Sequence, residues 1–439
     1  MSEDKQDIEL LQRLGFEDWN TLQKKALRVI QKEKEVLLLS PTGSGKTIAF
    51  LRPLQALTKK TPGIQTLIIV PSRELAIQIE QVWKQMNTGY KVNCFYGGHD
   101  VHSELRSLQP PPALLIGTPG RLLDHLNRNS FDPSTIRTVV FDEFDKSLSL
   151  GFEDEMQRIM ERLEKVQRKI LVSATESIDI PDFVGLSDVA VIDNNERDIS
   201  NNQLELKIVR SALKDKADTL FDLLCQIGGS STIIFCNHRE AAERAGTLLK
   251  EKGIENAVFH GGMEQMEREQ TLIRFRNGSV FFLVATDLAA RGLDIPEVRQ
   301  IIHYHMPSTR AEFTHRNGRT ARMEAEGTAY LILHEEEPIP DFVDGVPETL
   351  VIKGTGKLPP HPEWNTVFIS GGKKDKIRKL DIVGFFGQAG RLDKSDIGMI
   401  DIRDYVSFAA IRRSKLKELL QRIAPEKMKG KKYRIAIAR

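Results

Sequence analysis

Two clusters in this chain combine residue types and spacing suited to phosphate chemistry. Ser40-Pro41-Thr42-Gly43-Ser44-Gly45-Lys46-Thr47 follows a short apolar run and opens a helical pattern. In that setting glycines let backbone N–H groups close around phosphate oxygens. Lys46 is placed to reach the β- and γ-phosphates, and the Thr47 hydroxyl to hold Mg²⁺. Ser40 stands where the strict pattern has glycine, while the Gly-Ser-Gly-Lys-Thr core is intact. Asp142-Glu143-Phe144-Asp145 ends a second apolar run. There Asp142 can hold the metal and Glu143 can polarise an attacking water. Taken singly, a glycine turn or an acidic strand end is commonplace. In this order and spacing they point to phosphoryl transfer from a nucleotide.

Such loops need strands to carry them. Val36–Leu39, Leu67–Val70, Leu114–Ile116, Val139–Phe141 and Ile170–Val172 are near-continuous apolar runs, each followed by a turn signal. That is the pattern of parallel strands buried on both faces. Ser72–Met86 reads as a helix, with Leu75, Ile79 and Val82 sharing a face. A polar stretch, Asp193–Gln203, interrupts the pattern, and it resumes with Thr232–Phe235, Ala257–His260, Phe281–Ala285, Gln300–His303 and Thr328–Leu333. Helical patterns lie between them at Arg239–Lys252 and Glu264–Arg276. A Gly/Pro-rich stretch then reads as a linker with a short strand at Leu350–Ile352. The last 75 or so residues suit a βαββαβ module. The expected organisation is α/β: two tandem parallel-sheet domains over 1–198 and 204–334, a linker over 335–363, and a small α+β domain over 364–439.

Composition narrows the class. Hydrophobic residues are 40% and charged residues 28% of the 439, which excludes wholesale disorder. No apolar run approaches the roughly 18 residues a membrane span requires. The N-terminus is charged from its third residue and carries no apolar leader. Cys94, Cys225 and Cys236 are few and far apart. They suit core hydrophobes in a cytoplasmic protein, and no structural metal is expected. Net charge is +2, but residues 371–439 hold 19 Lys and Arg against 8 Asp and Glu, so a +11 tail follows a −9 body. A basic tail on an acidic body points to a polyanion.

Further motifs complete the pattern, and together they resemble the DEAD-box RNA helicases of superfamily two over residues 15 to about 334. Gln23 resembles the Q motif, Pro71-Ser-Arg73-Glu-Leu-Ala76 motif Ia, and Gly97-Gly98 the glycine doublet. Thr118-Pro-Gly-Arg121 resembles motif Ib and Ser173-Ala-Thr175 motif III. In the second unit, Ile234–Asn237, the Gln265-to-Arg268 segment, Thr286–Asp294 and His315–Arg322 resemble motifs IV to VI in order. Phe144 replaces the family's Ala, Trp19 its Pro in the Q motif, Ala321 a Gly in motif VI, and Gln6 falls where an aromatic usually stacks on adenine.

The resemblance implies two RecA-like domains and gives the residues roles. Gln23 would read the adenine of ATP. Thr42, Gly43, Ser44, Gly45, Lys46 and Thr47 would cradle its phosphates, with Asp294 joining the nucleotide site. Arg319 and Arg322 would reach the γ-phosphate when the units close. Arg73, Gly97, Arg121 and Thr286 would touch RNA. The tail resembles the RRM-like RNA-binding domain of the DbpA-type bacterial helicases through 371–378, 381–384, 397–402 and 429–435. By that resemblance it would anchor a monomeric, RNA-stimulated ATPase to structured ribosomal RNA during large-subunit assembly. Lys373, Lys374, Lys376, Arg378, Lys431 and Lys432 are its candidate phosphate contacts; Tyr405, Phe408 and Tyr433 are either stacking surfaces or core residues, and for Phe408 the core reading is preferred. An ATP-controlled RNA clamp that closes without productive unwinding is the alternative, and a DNA-directed translocase fits the motifs poorly.

Overall fold

The computed structural model describes residues 3–40, 44–98, 100–174, 180–194, 204–287, 298–320, 327–354 and 356–438. The chain divides between Asn202 and Gln203 into two compact units.

The first unit is built on seven parallel strands: β1 (Glu35–Leu39), β2 (Thr66–Ile69), β3 (Val92–Phe95), β4 (Leu114–Gly117), β5 (Thr138–Asp142), β6 (Arg168–Ser173) and β7 (Ala190–Asp193). Their order is β3-β4-β2-β5-β6-β1-β7. Alternate residues enter two separate cores. Val36, Leu38, Ile68, Val140 and Ile170 face one, while Leu67, Ile69, Val139, Phe141 and Leu171 face the other. Both faces are covered, which is why the strands read as unbroken apolar runs rather than alternating ones. The first core packs under α1 (Glu3–Leu14), α2 (Thr21–Lys32), α3 (Lys46–Leu57) and α4 (Arg73–Met86). The second packs under α5 (Val101–Ser107), α6 (Pro119–Asn127), α7 (Phe144–Ser149) and α8 (Glu153–Glu161). Strands β3 and β7 gave no comparable apolar signal, because each is four residues long and Asn93 and Asp193 shorten their apolar runs.

The second unit repeats the plan with β8 (Leu204–Ser211), β9 (Thr232–Cys236), β10 (Asn256–Phe259), β11 (Phe282–Thr286), β12 (Gln300–His303), β13 (Gly327–His334) and β14 (Glu348–Thr349), in the order β10-β11-β9-β12-β13-β8-β14. Helices α9 (Ala217–Ile227), α10 (Arg239–Glu251), α11 (Gln265–Arg276) and α12 (Arg310–Asn317) accompany it. The expected linker is not a free spacer. Its strand falls at Glu348–Thr349, pairs with β8, and continues with Leu350 donating to the Ile208 carbonyl at 2.8 Å. Leu350 and Ile352 then pack on the sheet's core.

The C-terminal module has β15 (Trp364–Ile369), α13 (Lys379–Gln388), β16 (Ile397–Ile402), β17 (Ser407–Arg412), α14 (Arg413–Ile423) and β18 (Ile435–Ile437). The antiparallel order β16-β17-β15-β18 is the split βαβ arrangement that βαββαβ demands. Val367, Ile369, Ala409 and Ile411 face the helices. Phe408 joins Ile273 of α11 and Ala438 in a separate cluster, with Phe368 against it. Phe408 is therefore a packing residue, as the preferred sequence reading expects. Beside it, Asn277 Nδ2 donates to Thr366 Oγ1 at 3.0 Å, and Ser279 Oγ lies 2.8 Å from the same hydroxyl. Arg413 adds a two-point ion pair to Glu255 at 3.1 and 2.7 Å.

Thr366→Val leaves Asn277 and Ser279 without their shared buried partner, at a cost of about 1–3 kcal/mol. Hydrogen exchange should show faster exchange at β15 and the end of α11, with the first sheet unaffected.

Candidate nucleotide and RNA sites

In a parallel sheet, ligands collect at the carboxyl ends of the strands, where loops enter the following helices. The first sheet divides that rim in two. Strands β1, β5 and β6 carry Lys46, Asp142 and Ser173 at one part of it, while β2, β3 and β4 carry Arg73, Gly97 and Arg121 at the other.

At the nucleotide part, the Lys46 ammonium donates to the Ser40 carbonyl at 2.7 Å, and Ser40 Oγ bonds Ser44 Oγ at 2.7 Å. Gly45 precedes α3 with φ +85°, and a Cβ there would lie 2.6 Å from Gln23 Nε2. Gln23 is fixed by a reciprocal cap: its N–H donates to Asn20 Oδ1 at 2.9 Å, and Asn20 N–H to Gln23 Oε1 at 3.0 Å. Asn20 Nδ2 also donates to the Ser44 carbonyl at 2.9 Å. The start of α2 and the phosphate loop are thus one assembly. Trp19, in the unusual Q motif, is buried beneath the Arg52 guanidinium, 4.4 Å from its ring centre, and Arg52 is paired with Asp7.

Asp142 and Glu143 close the pocket from β5. Both are buried, and Glu143 N–H donates to Asp142 Oδ1 at 2.9 Å. Burial and the Glu143 charge push the Asp142 carboxyl up to about 7, against the pull of Lys46 and Lys146. Burial also lowers the Lys46 ammonium, opposed chiefly by Asp142 and Glu143. A desolvated carboxylate beside a second one lacks positive charge. The Thr47 hydroxyl at the head of α3 is the neutral oxygen that a hard divalent cation also takes. The residues therefore fit Mg²⁺. Phe144 is fully buried against Phe141, 5.3 Å between rings, in the core on the face away from α3. Its extra bulk is taken up within that core.

Sequence reasoning passed over Lys146, whose Nζ lies 2.6 Å from Glu143 Oε1, with the two side chains only 4% and 10% exposed. The available signal was an acid–base pair three residues apart at a helix start.

At the other part of the rim, the Arg73 guanidinium lies against the glycine doublet. Added Cβ atoms would meet it at 3.2 Å from Gly97 and 3.1 Å from Gly98. Arg121 is held by an ion pair. Its Nε donates to the buried Glu104 at 2.8 Å, and His125 Nε2 shares that oxygen at 2.8 Å. Glu104 is a second residue that sequence reasoning missed, and it balances the Arg121 charge inside the protein.

In the second unit, Arg316 draws three strand ends together. It binds both Asp287 oxygens at 2.7 and 2.5 Å, Asn237 Oδ1 at 2.8 Å and the His305 carbonyl at 2.5 Å. Thr286 is buried at the end of β11, and Arg319 is buried just past α12. Thr42, Gly43, Asp294 and Arg322 lie outside the described residues.

On the C-terminal module, Lys373, Lys374, Lys376, Arg378, Lys431 and Lys432 are all exposed. Gly372 makes the close approach that builds this edge, since a Cβ would meet the Arg403 carbonyl at 2.3 Å. Lys373 and Lys374 N–H groups donate to the Arg403 and Asp404 carbonyls at 2.8 and 2.9 Å. Lys431 pairs with Asp375 at 2.6 Å and so ties the two basic segments together.

Known proteins share this architecture. Residues 20–183 match the DEAD/DEAH box helicase family, 215–324 the helicase conserved C-terminal domain, and 366–437 the DbpA RNA binding domain. The chain is 32% identical to the ATP-dependent RNA helicase DbpA of Escherichia coli (strain K12), over 97% of this chain and 96% of that one. Among solved structures, S. cerevisiae Dbp5 bound to RNA and ADP BeF3 aligns over 75% of this chain and 88% of its own, at 25% identity and TM-score 0.66. Mss116p bound to ssRNA and AMP-PNP aligns over 76% and 73%, at 26% identity and the same TM-score.

Lys46→Ala and Glu143→Gln should each abolish ATP turnover in a coupled assay, and normal rates in both would overturn the assignment. Gly45→Ala forces a strained φ and a clash with Gln23, so nucleotide affinity measured by fluorescence should fall.

Proposed function

The chain belongs to the DEAD-box family of ATP-dependent RNA helicases, and we propose that it hydrolyses ATP on its first unit to open short RNA duplexes while its C-terminal module holds structured ribosomal RNA during large-subunit assembly. The observation that carries this reading is the divided rim of the first sheet. Lys46, Asp142 and Glu143 lie on one part of the carboxyl-end rim and Arg73 and the Gly97 turn on the other, so a nucleotide and an RNA strand would lie along neighbouring loops of one sheet edge.

Lys46 would bind the β- and γ-phosphates, releasing the Ser40 carbonyl that it now holds. Mg²⁺, on Thr47 and Asp142, would offset phosphate charge when bound. Glu143 would polarise the water that attacks the γ-phosphorus, and the bond to ADP breaks. Gln23, braced by Asn20, would face the base. Thr42, Gly43 and Asp294 complete the nucleotide site in this proposal. Arg319 and Arg322 would complete it from the second unit on closure, where arginine fingers contribute about 10³–10⁵ in rate. RNA would be held mainly along its backbone by the Arg73–Gly97 turn and by Thr286, with little sequence preference. Arg121 would serve through the loop it braces with Glu104.

The basic edge of the module would grip phosphates, since Phe408 and Thr366 on its sheet face are covered by α11 and Asn277. Its ion pairs are exposed and worth little, so a phosphate can displace them. A monomeric state and a cytoplasmic location belong to the same proposal. Among the described residues no helix is long and apolar enough to cross a membrane. The packing of Phe144 away from α3 gives no reason to prefer a clamp that closes without unwinding.

ATPase rates with total ribosomal RNA and with an unstructured homopolymer test this, together with strand separation on a short duplex. Ribosomal RNA should stimulate more strongly. Lys373→Glu combined with Lys374→Glu should erase that preference and leave homopolymer stimulation intact. Equal stimulation of the wild type would reduce the tail to a nonspecific contact, and turnover without strand separation would favour the clamp.

A further inference from the structure

We propose that Lys146 is a positioning residue for Glu143, its ammonium holding one carboxylate oxygen so that the group that polarises the attacking water keeps a single orientation through turnover. This rests on the ATPase reading of the site.

Three observations support it. The pair is buried and close, 2.6 Å between Lys146 Nζ and Glu143 Oε1, with both side chains at most a tenth exposed. It is thus unlike the solvated pairs three or four residues apart on helix surfaces, which contribute little. Second, Glu143 has φ +51° and ψ +49°, a left-handed conformation that costs a non-glycine residue energy. That turn starts α7, and Lys146 and Ser147 N–H groups both donate to the Glu143 carbonyl at 3.0 Å. The same single turn therefore brings the Lys146 side chain back onto the Glu143 carboxylate. Third, burying a second ammonium near Lys46 is unfavourable unless a carboxylate compensates it. Lys146 is compensated by Glu143, the one carboxylate of the β5 pair that the metal does not need. A glutamate has three side-chain torsions, and a buried ion pair at this separation restricts that freedom. Misplacing a catalytic group by about 1 Å can cost roughly 10²-fold in rate.

The test uses the full-length protein with Lys146→Met and Lys146→Arg, measuring kcat and KM for ATP under RNA stimulation and RNA affinity by anisotropy. Lys146→Met should lower kcat by about 10- to 100-fold, with KM and RNA affinity little changed, and Lys146→Arg should recover most of the loss. In a Glu143→Gln background, Lys146→Met should have no further effect on residual turnover. An unchanged or raised kcat in Lys146→Met would overturn the proposal. So would a joint loss of kcat, ATP binding and RNA affinity that Lys146→Arg fails to rescue, since that marks a purely structural role. Normal turnover in Glu143→Gln is a separate result, and it would overturn the assignment of Glu143 itself.

Discussion

The structure depends most on a desolvated charge cluster at the carboxyl ends of β1 and β5. Asp142, Glu143 and Asp145 gather there with Lys46 and Lys146. None of the fully buried groups would keep its charge alone, because desolvation costs several kcal/mol per ion. Together they number three carboxyl groups to two ammonium groups, which suits a site that takes up a divalent cation with its nucleotide. The sheet makes this possible. A parallel sheet covered on both faces has no polar surface except its rims, so ionisable side chains collect at the strand ends. The apolar cores on either face set the dielectric in which those charges interact.

Around this cluster the chain places braces rather than further chemistry. Asn20 and Gln23 cap α2 and touch the phosphate loop at the same time. Arg52, packed on Trp19 and paired with Asp7, ties α1 and α3 to that cap. Glu104 performs a comparable task for Arg121 and His125 across the rim. In the second unit, Arg316 binds Asp287, Asn237 and the His305 carbonyl, so the ends of β9, β11 and β12 move as one. His303 beneath it is fully buried against Phe235 and Phe313, and burial holds its ring neutral down to about 3.

The C-terminal module belongs to the second unit mechanically as well as by sequence order. The Thr366 hydroxyl, the Phe408–Ile273 contact and the Arg413–Glu255 pair lie along one interface. The intervening segment is pinned by β14 and by Lys353, whose N–H donates to Gln226 Oε1 at 2.8 Å. The basic edge is thus tied to the same compact unit as the Arg316 hub.

What the sequence determined by itself is what local chemistry encodes. Glycines, the lysine and paired carboxylates at fixed offsets identify a phosphate loop and its acidic partner, because the residues that build each turn are also the residues that act there. Unbroken apolar runs identified most strands of both sheets, since burial on both faces removes any polar alternation. The βαββαβ order of the tail was legible from short strand-like stretches alternating with helical patterns and turn residues. Tertiary structure alone decided the partnerships between distant residues. Glu104 meets Arg121, Thr366 meets Asn277, Trp19 meets Arg52, and Phe408 meets Ile273. Strand order and helix docking bring these pairs together, and both are non-local. Lys146 lies between the two cases. Its spacing from Glu143 was visible in the sequence, but only the burial of that turn makes the pair strong enough to matter.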